Sequence, residues 1–271
     1  MAISLVSNAA SLRAANTMRL AHQESEQSMQ RASSGSRINT AADDASGSAV
    51  AVKLAALKNS TQQAMRNTSD GIAVVQTADA SAREVAAIIE RGRELAVQAA
   101  SETLGSDERK YAFTEMRSLA LESIRIADSL EFNGKSLGGG TSLQVQVGTE
   151  GDANSRIKFK IMDLRAVGNA LTTVNLSSSA AAASSIETLD TALDTVNSGR
   201  SSMGAAYNRL ESAMANASES MLALTSAKSR IMDTDYAGES AAMTANQIKM
   251  QASAAALGQA NSMSNSVMSL I

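Results

Sequence analysis

Two interleaved heptad tracts limit what this chain can fold into more than any other feature. In the first, Leu54, Thr61, Thr68, Val75, Ala82, Ile89 and Ala96 recur every seven residues, between Leu57, Ala64, Gly71, Ala78, Val85, Gly92 and Ala99, and none is charged. A seam held this long belongs to a helix packed along its length against others, and its small residues permit close backbone approach. In the second, Ile186, Leu193, Arg200, Tyr207, Met214, Met221 and Lys228 interleave with Leu189, Val196, Met203, Leu210, Ala217, Leu224 and Ile231. Only Arg200 and Lys228 are charged, and both can lay their stems along apolar surface. The tracts are equal in length, which predicts that they lie antiparallel. A helix over 46–101 spans about 84 Å at about 1.5 Å per residue. Proline, the residue most damaging to helix interiors, is absent.

Helix-breaking stretches stand outside both tracts. Ser33 to Gly47 gathers Gly, Ser, Asn and Asp: Gly35 permits angles closed to other residues, while Asn39, Asp43 and Asp44 can bond nearby amides. Asp43 or Asp44 is the expected N-cap of the following helix, and Arg37 and Ile38 offer a charge and an apolar anchor to something beyond it. The alternative is a plain solvated loop. Asp233 to Gly238 is the counterpart in reverse order. Helical patterns lie beyond both joints: Ile3 to about Arg31, with Leu5, Ala9, Leu12 and Ala15 sharing a narrow face, and a final tract containing Ile248, Ala252, Ala255, Leu257, Ala260, Met263, Val267 and Leu270.

Between the tracts, Gly105 to Glu108 starts another helix running to about Leu130, with acids in its first turn favourable to the dipole. Leu143, Val145 and Val147, then Ile157, Phe159 and Ile161, alternate with polar residues around a turn-rich stretch, which predicts a β-hairpin. Residues 169–183 have no clear period and are expected to be a surface connection, and Ser184 to Glu187 fits a capping box. The predicted fold is mainly α: long antiparallel heptad helices forming a rod-like bundle, with a small β-hairpin and terminal helices that pair as a coiled coil. The expected segments are 1–45, 46–140, 141–183, 184–233 and 234–271.

Composition narrows the function. The six aromatic residues all lie between Tyr111 and Tyr236, so the ends must pack through Ala, Leu, Ile, Val and Met. Cysteine is absent, which removes disulfides and thiolate metal sites. The net charge of −3 gives no electrostatic reason to expect nucleic acid. No apolar run approaches a membrane span, and the beginning lacks the features of a secretory signal, so any export is expected to use another route. The single histidine, His22, sits on the polar side of the first helical pattern without a nucleophile, metal cluster or phosphate loop. No catalytic residue, metal or cofactor is expected. A self-assembling fibrous protein, a coiled-coil adaptor and a membrane-active protein remain. The final tract has one Lys among many Ser, Asn and Gln, unlike a membrane-active helix, and an adaptor does not need two apolar ends. Copies of the same chain can cover them.

The stretch Ser33 to Gly47, Asp70-Gly71-Ile72, Arg93 to Gln98 and Phe132-Asn133-Gly134 together resemble bacterial flagellin. Ser229 to Ala237, Gln259-Ala260-Asn261 and Val267 to Leu270 resemble that family's closing segment, so the likeness covers nearly the whole chain. It implies a non-enzymatic, homopolymeric subunit of the extracellular flagellar filament, with 1–45 and 234–271 as inner-tube helices. It also implies unfolded export through the flagellar secretion apparatus, with an export chaperone, hook-associated proteins and cap proteins as partners. Only a hairpin and a connection stand where many flagellins carry outer domains, so the chain resembles a minimal form. Two departures, no proline in 262–266 and no basic residue at the C-terminal Ile271, bear on the inner wall. A hook-to-filament junction protein shares this helical plan and is the alternative.

In the family, a vertebrate Toll-like receptor recognises the rod near the Arg-Glu-Leu segment, and the positions matching it are Arg91, Leu95 and Glu115. The heptad phase sets Arg91 and Leu95 outside the seam. The alternative role for this surface is contact between neighbouring subunits.

Overall fold

The computed structural model describes residues 8–268, with side chains described as far as Met263. Six helices and two antiparallel β-ladders follow in the order α1 (Ala9–Ser34), α2 (Ala45–Ala100), α3 (Ser106–Ser129), β1 (Glu131–Phe132), β2 (Lys135–Ser136), β3 (Ser142–Gln146), β4 (Arg156–Lys160), α4 (Leu164–Thr172), α5 (Ser179–Met232) and α6 (Tyr236–Met268). The chain divides into two compact units, one formed by 59–222 and the other by 1–58 with 223–271.

Within 59–222, α2 and α5 run antiparallel as the matched tracts predict. Arg93 pairs with Asp190 at 2.6 Å and Arg200 with Asp79 at 2.9 Å. The Ser179 hydroxyl donates to the Ala100 carbonyl at 2.6 Å. On α2 every seam position from Thr61 to Ala99 is buried, whereas on α5 only the line Leu189, Val196, Met203, Leu210 and Ala217 is fully so. The line from Ile186 to Tyr207 is half-buried, and Ala192 and Ala206 join the core instead. A straight helix of 3.6 residues per turn drifts against a seven-residue repeat, so the buried face rotates along it.

A third helix lies along α2. Arg109 of α3 donates to the Ala99 and Ser101 carbonyls at 3.0 and 2.8 Å, satisfying the end of α2. A Cβ on Gly92 would meet the Met116 sulfur at 2.8 Å, so the glycine leaves the space that Met116 fills. The predicted hairpin forms in the register Leu143↔Phe159 and Val145↔Ile157, with Ile157 and Phe159 buried on one face. A second hairpin, β1–β2, turns on Asn133 (φ 50°) and Gly134 (φ 75°). Two positive φ values in a two-residue loop match the twist of the strands.

Residues 169–183 are not a featureless surface connection. Asp163 accepts from the Ala166 amide at 2.8 Å and caps α4, and Leu164, Val167 and Leu171, with Val174 and Leu176 beyond, are buried. Nine residues are too few to show a period against Ser and Thr neighbours. Nor does Ser184 cap α5. The cap is Ser178, whose carbonyl accepts from Ala182 at 2.9 Å and whose hydroxyl accepts from Ala181 at 3.2 Å. Ser184 sits inside the helix, bonded to the Ala180 carbonyl.

In the other unit α1 pairs antiparallel with α6, as a coiled coil of the two ends was expected to. Asn8 Nδ2 donates to the Ala260 carbonyl at 3.0 Å, and Arg31 lies 3.5 Å from Glu239. The buried face differs from the expected stripe, because Leu12 is 68% exposed while Ala21, Ser25 and Ser28 are buried. On α6, Ile248 is 61% exposed and Asn246 and Ser253 are buried. The expected positions Ile3 and Leu5 lie outside the described residues, as do Leu270 and the Val267 side chain.

Leu210 and its neighbour Glu211 test the phase of α5. Leu210→Ala is expected to cost roughly 2 to 5 kcal/mol as a buried truncation, and Glu211→Ala to stay within about 0.5 kcal/mol. Equal shifts in thermal melting for the two would reject the phase.

Candidate functional site

The joint at Ser33–Gly47 is built from backbone groups that two helix ends leave over. Gly35 ends α1 in the left-handed region (φ 65°), a conformation without penalty for glycine. Ser36 then forms an antiparallel bridge with Asp233. The Arg37 amide donates to the Met232 carbonyl at 2.6 Å, and the Thr234 amide donates to the Gly35 carbonyl at 3.2 Å. The Arg37 guanidinium donates to the Ile231 carbonyl at 2.8 Å. A cation on the last carbonyls of α5 both satisfies them and complements the helix dipole. The opening joint and its reverse-order counterpart are thus stitched to one another.

Arg37 bonds the end of α5, whereas Ile38 lies against the first turn of α2. Ile38 is buried, and a Cβ on Gly47 would lie 2.8 Å from its Cδ1. Asp44 is the N-cap of α2, accepting from the Gly47 amide at 2.8 Å. Asp43 shapes the loop instead: its Oδ2 accepts from the Asn39 and Thr40 amides at 3.1 and 2.8 Å and from the Thr40 hydroxyl at 3.0 Å. Its Oδ1 accepts from Gln27 at 3.0 Å, with Arg31 at 4.0 Å. The bonds from Thr40 first, then those from Gln27 and Asn39, hold its pKa down to about 2. On the other side Asp235 caps α6, accepting from the Ala237 and Gly238 amides at 3.0 and 3.3 Å.

A carboxylate with a depressed folded pKa contributes stability that is present above its unfolded value and lost as pH falls through the folded one. Between about pH 4 and about pH 2 the Asp43 clasp is therefore expected to open. Protection of the Asn39 and Thr40 amides, measured against the intrinsic exchange rate at each pH, should fall across that window, and Asp43→Asn should show the lower protection already at pH 7. Exchange in the variant that matches the parent at pH 7 would contradict this role.

The second candidate surface lies on the unit 59–222. Arg91 pairs with Glu94 and with Glu115 of α3, both at 2.9 Å. The hydrogen bonds that Arg91 donates to Glu94 and then to Glu115 raise the guanidinium pKa above its ordinary value. The three side chains are about half exposed or more. Leu95 does not join them. It is 3% exposed and belongs to the core with Met116 and Ala120. The two-helix heptad phase placed it outside the seam, but α3 also lies against this side of α2, where Met116 meets Gly92 and Glu115 meets Arg91, and Leu95 is one helical turn from both.

His22 is exposed, with Nδ1 3.4 Å from Glu26. Among the described residues no group of His, Cys, Asp or Glu is placed to hold a metal ion. No described helix is long and apolar enough to cross a membrane.

Two family models match the chain. "Bacterial flagellin N-terminal helical region" matches residues 5–142, and "Bacterial flagellin C-terminal helical region" matches 186–271. A flagellin of Halalkalibacterium halodurans is 37% identical over 92% of each chain. A flagellin of Bacillus subtilis is 32% identical over 97% of this chain and 98% of its own. The flagellar filament 33 kDa core protein of Treponema phagedenis is 34% identical over 91% and 92%. The crystal structure of a Bacillus cereus flagellin aligns with a TM-score of 0.50 at 30% identity, covering 56% of this chain and 88% of that one.

Proposed function

Because the chain belongs to the bacterial flagellin family, we propose that it acts as a non-catalytic structural subunit polymerising outside the cell into the flagellar filament, with 1–45 and 234–271 as the assembling ends. The observation that carries this is the outer surface of the terminal pair. Leu12, Leu20 and Met29 on α1, and Ile248 and Met263 on α6, are 46% exposed or more. Large apolar side chains displayed along two helices that bury mainly Ala, Ser and Asn between them are a surface awaiting a partner. Copies of the same helices supply one of matching chemistry. Relatives named as flagellins and as a filament core protein favour the filament over the hook-to-filament junction. Family membership also supports unfolded export, with an export chaperone and with hook-associated and cap proteins as partners.

A chain truncated to Ser46–Asp233 is expected to stay helical and monomeric, because it keeps the core of 59–222, and to form no filaments on salting out where the full chain does. Filaments of normal diameter from the truncated chain would sink this reading.

The exposed Arg91–Glu115 pair supports a second role, recognition of the free subunit by a vertebrate Toll-like receptor, or contact between subunits at the same place. Arg91→Ala combined with Glu115→Ala removes an exposed ion pair and is expected to change stability by about 1 kcal/mol or less. Receptor activation by the monomeric variant should be lost. Activation at the level of the parent chain would remove the receptor role.

A further inference from the structure

The fold sorts the 14 methionines of this chain by exposure. Among the described residues, no methionine of 59–222 is exposed, and Met116, Met162 and Met203 are buried there, filling gaps between helices. The exposed ones among the described residues are Met18 (37%), Met29 (55%) and Met263 (53%), and all stand on the terminal pair α1 and α6. Half-buried Met250 joins them, lining with Met18, Arg19, His22 and Ala254 a groove of about 650 Å³ along the same pair. The chain has neither cysteine nor tryptophan, so a two-electron oxidant finds no softer target than these thioethers.

Oxidation changes what such a side chain can be buried against. The thioether sulfur attacks hydrogen peroxide; an S–O bond forms, the O–O bond breaks, and the second oxygen leaves as water once the proton has transferred. Sulfur loses two electrons and the peroxide gains them. The product is a polar, chiral sulfoxide whose oxygen accepts hydrogen bonds. In the free subunit water supplies the donors. Between the apolar side chains of two copies nothing does, and an unsatisfied buried polar group opposes association.

We propose that Met18, Met29, Met250 and Met263 are an oxidation-sensitive modification site on the assembling face. Resting on the filament reading above, conversion of these thioethers to sulfoxides in the free subunit blocks its addition to the polymer, and addition in turn shields them from oxidant. Met116, Met162 and Met203 lie out of the oxidant's reach, so the modified chain keeps the core of 59–222 and loses only its capacity to assemble. Methionine sulfoxide is returned to the thioether by two epimer-specific reductases, so the block is reversible.

The test is treatment of the full-length chain with hydrogen peroxide at a dose that leaves Met116 and Met203 reduced, with each methionine followed by peptide mass spectrometry. Conversion of the four is expected to raise the critical concentration for seeded polymerisation roughly tenfold or more, the factor that one unsatisfied buried polar group accounts for. Joint treatment with the two methionine sulfoxide reductases should bring it back to within about twofold of the untreated chain. In filaments formed before treatment, the four should oxidise more slowly than in the free chain. The chain carrying Met18→Leu, Met29→Leu, Met250→Leu and Met263→Leu is compared with itself: its critical concentration, whatever its value, should change by less than about twofold on the same treatment. Where this variant does not polymerise untreated, the reductase reversal and the protection within filaments decide. Full conversion of the four with polymerisation unchanged would overturn the proposal, and so would treatment that still blocks the leucine variant or a block that the reductases fail to lift. Oxidation of the four as fast in filaments as in the free chain would overturn it too. Failure of the untreated parent chain to form filaments would count instead against the filament reading.

Discussion

Close packing of α2 against its neighbours through small side chains is the constraint on which the unit 59–222 depends. Gly92 leaves the room that the Met116 sulfur occupies, and Ala78, Ala82, Ala96 and Ala99 are all fully buried. Interiors pack at crystal-like density, so a seam of Ala and Gly obliges the facing helices to supply the larger side chains. Here Leu189, Val196, Met203 and Leu210 of α5 and Met116 of α3 do so. The absence of proline lets this continue over a helix of 56 residues without interruption.

Polar backbone chemistry governs the joint in the same way that packing governs the seam. A helix end leaves carbonyls and amides unpaired, and burial without partners is costly. The two breaks in the chain solve this together, the amide and guanidinium of Arg37 meeting the last carbonyls of α5 while Thr234 meets Gly35. Asp43, Asp44 and Asp235 cap locally. The conformation that leads α1 into α2 is thereby coupled to the one that leads α5 into α6.

The terminal helices invert the usual arrangement, placing Ser and Asn between them and Leu, Ile and Met outside. Such a pair has little reason to be stable alone, since small polar side chains bury little apolar area. On the filament reading proposed above, neighbouring copies complete it.

Much of this was legible in the sequence. The matched heptads implied two long antiparallel helices, alternation implied the β3–β4 hairpin, and the cluster of Gly, Asn and Asp implied a structured joint, because each is a periodic or local signal that survives without knowledge of neighbours. The flagellin motifs at both ends identified the family. What tertiary structure alone decided was which face each helix buries when a third element is present. Leu95 lies outside the two-helix seam and is buried because α3 covers it, while Leu12 and Ile248 are exposed because α1 and α6 meet along Ala, Ser and Asn. Ser178 rather than Ser184 caps α5, because the buried Val174 and Leu176 hold the preceding chain against the core. A heptad pattern reports that a helix has a partner, but which side the partner takes is set by the contacts of the whole fold, and those are not local in the chain.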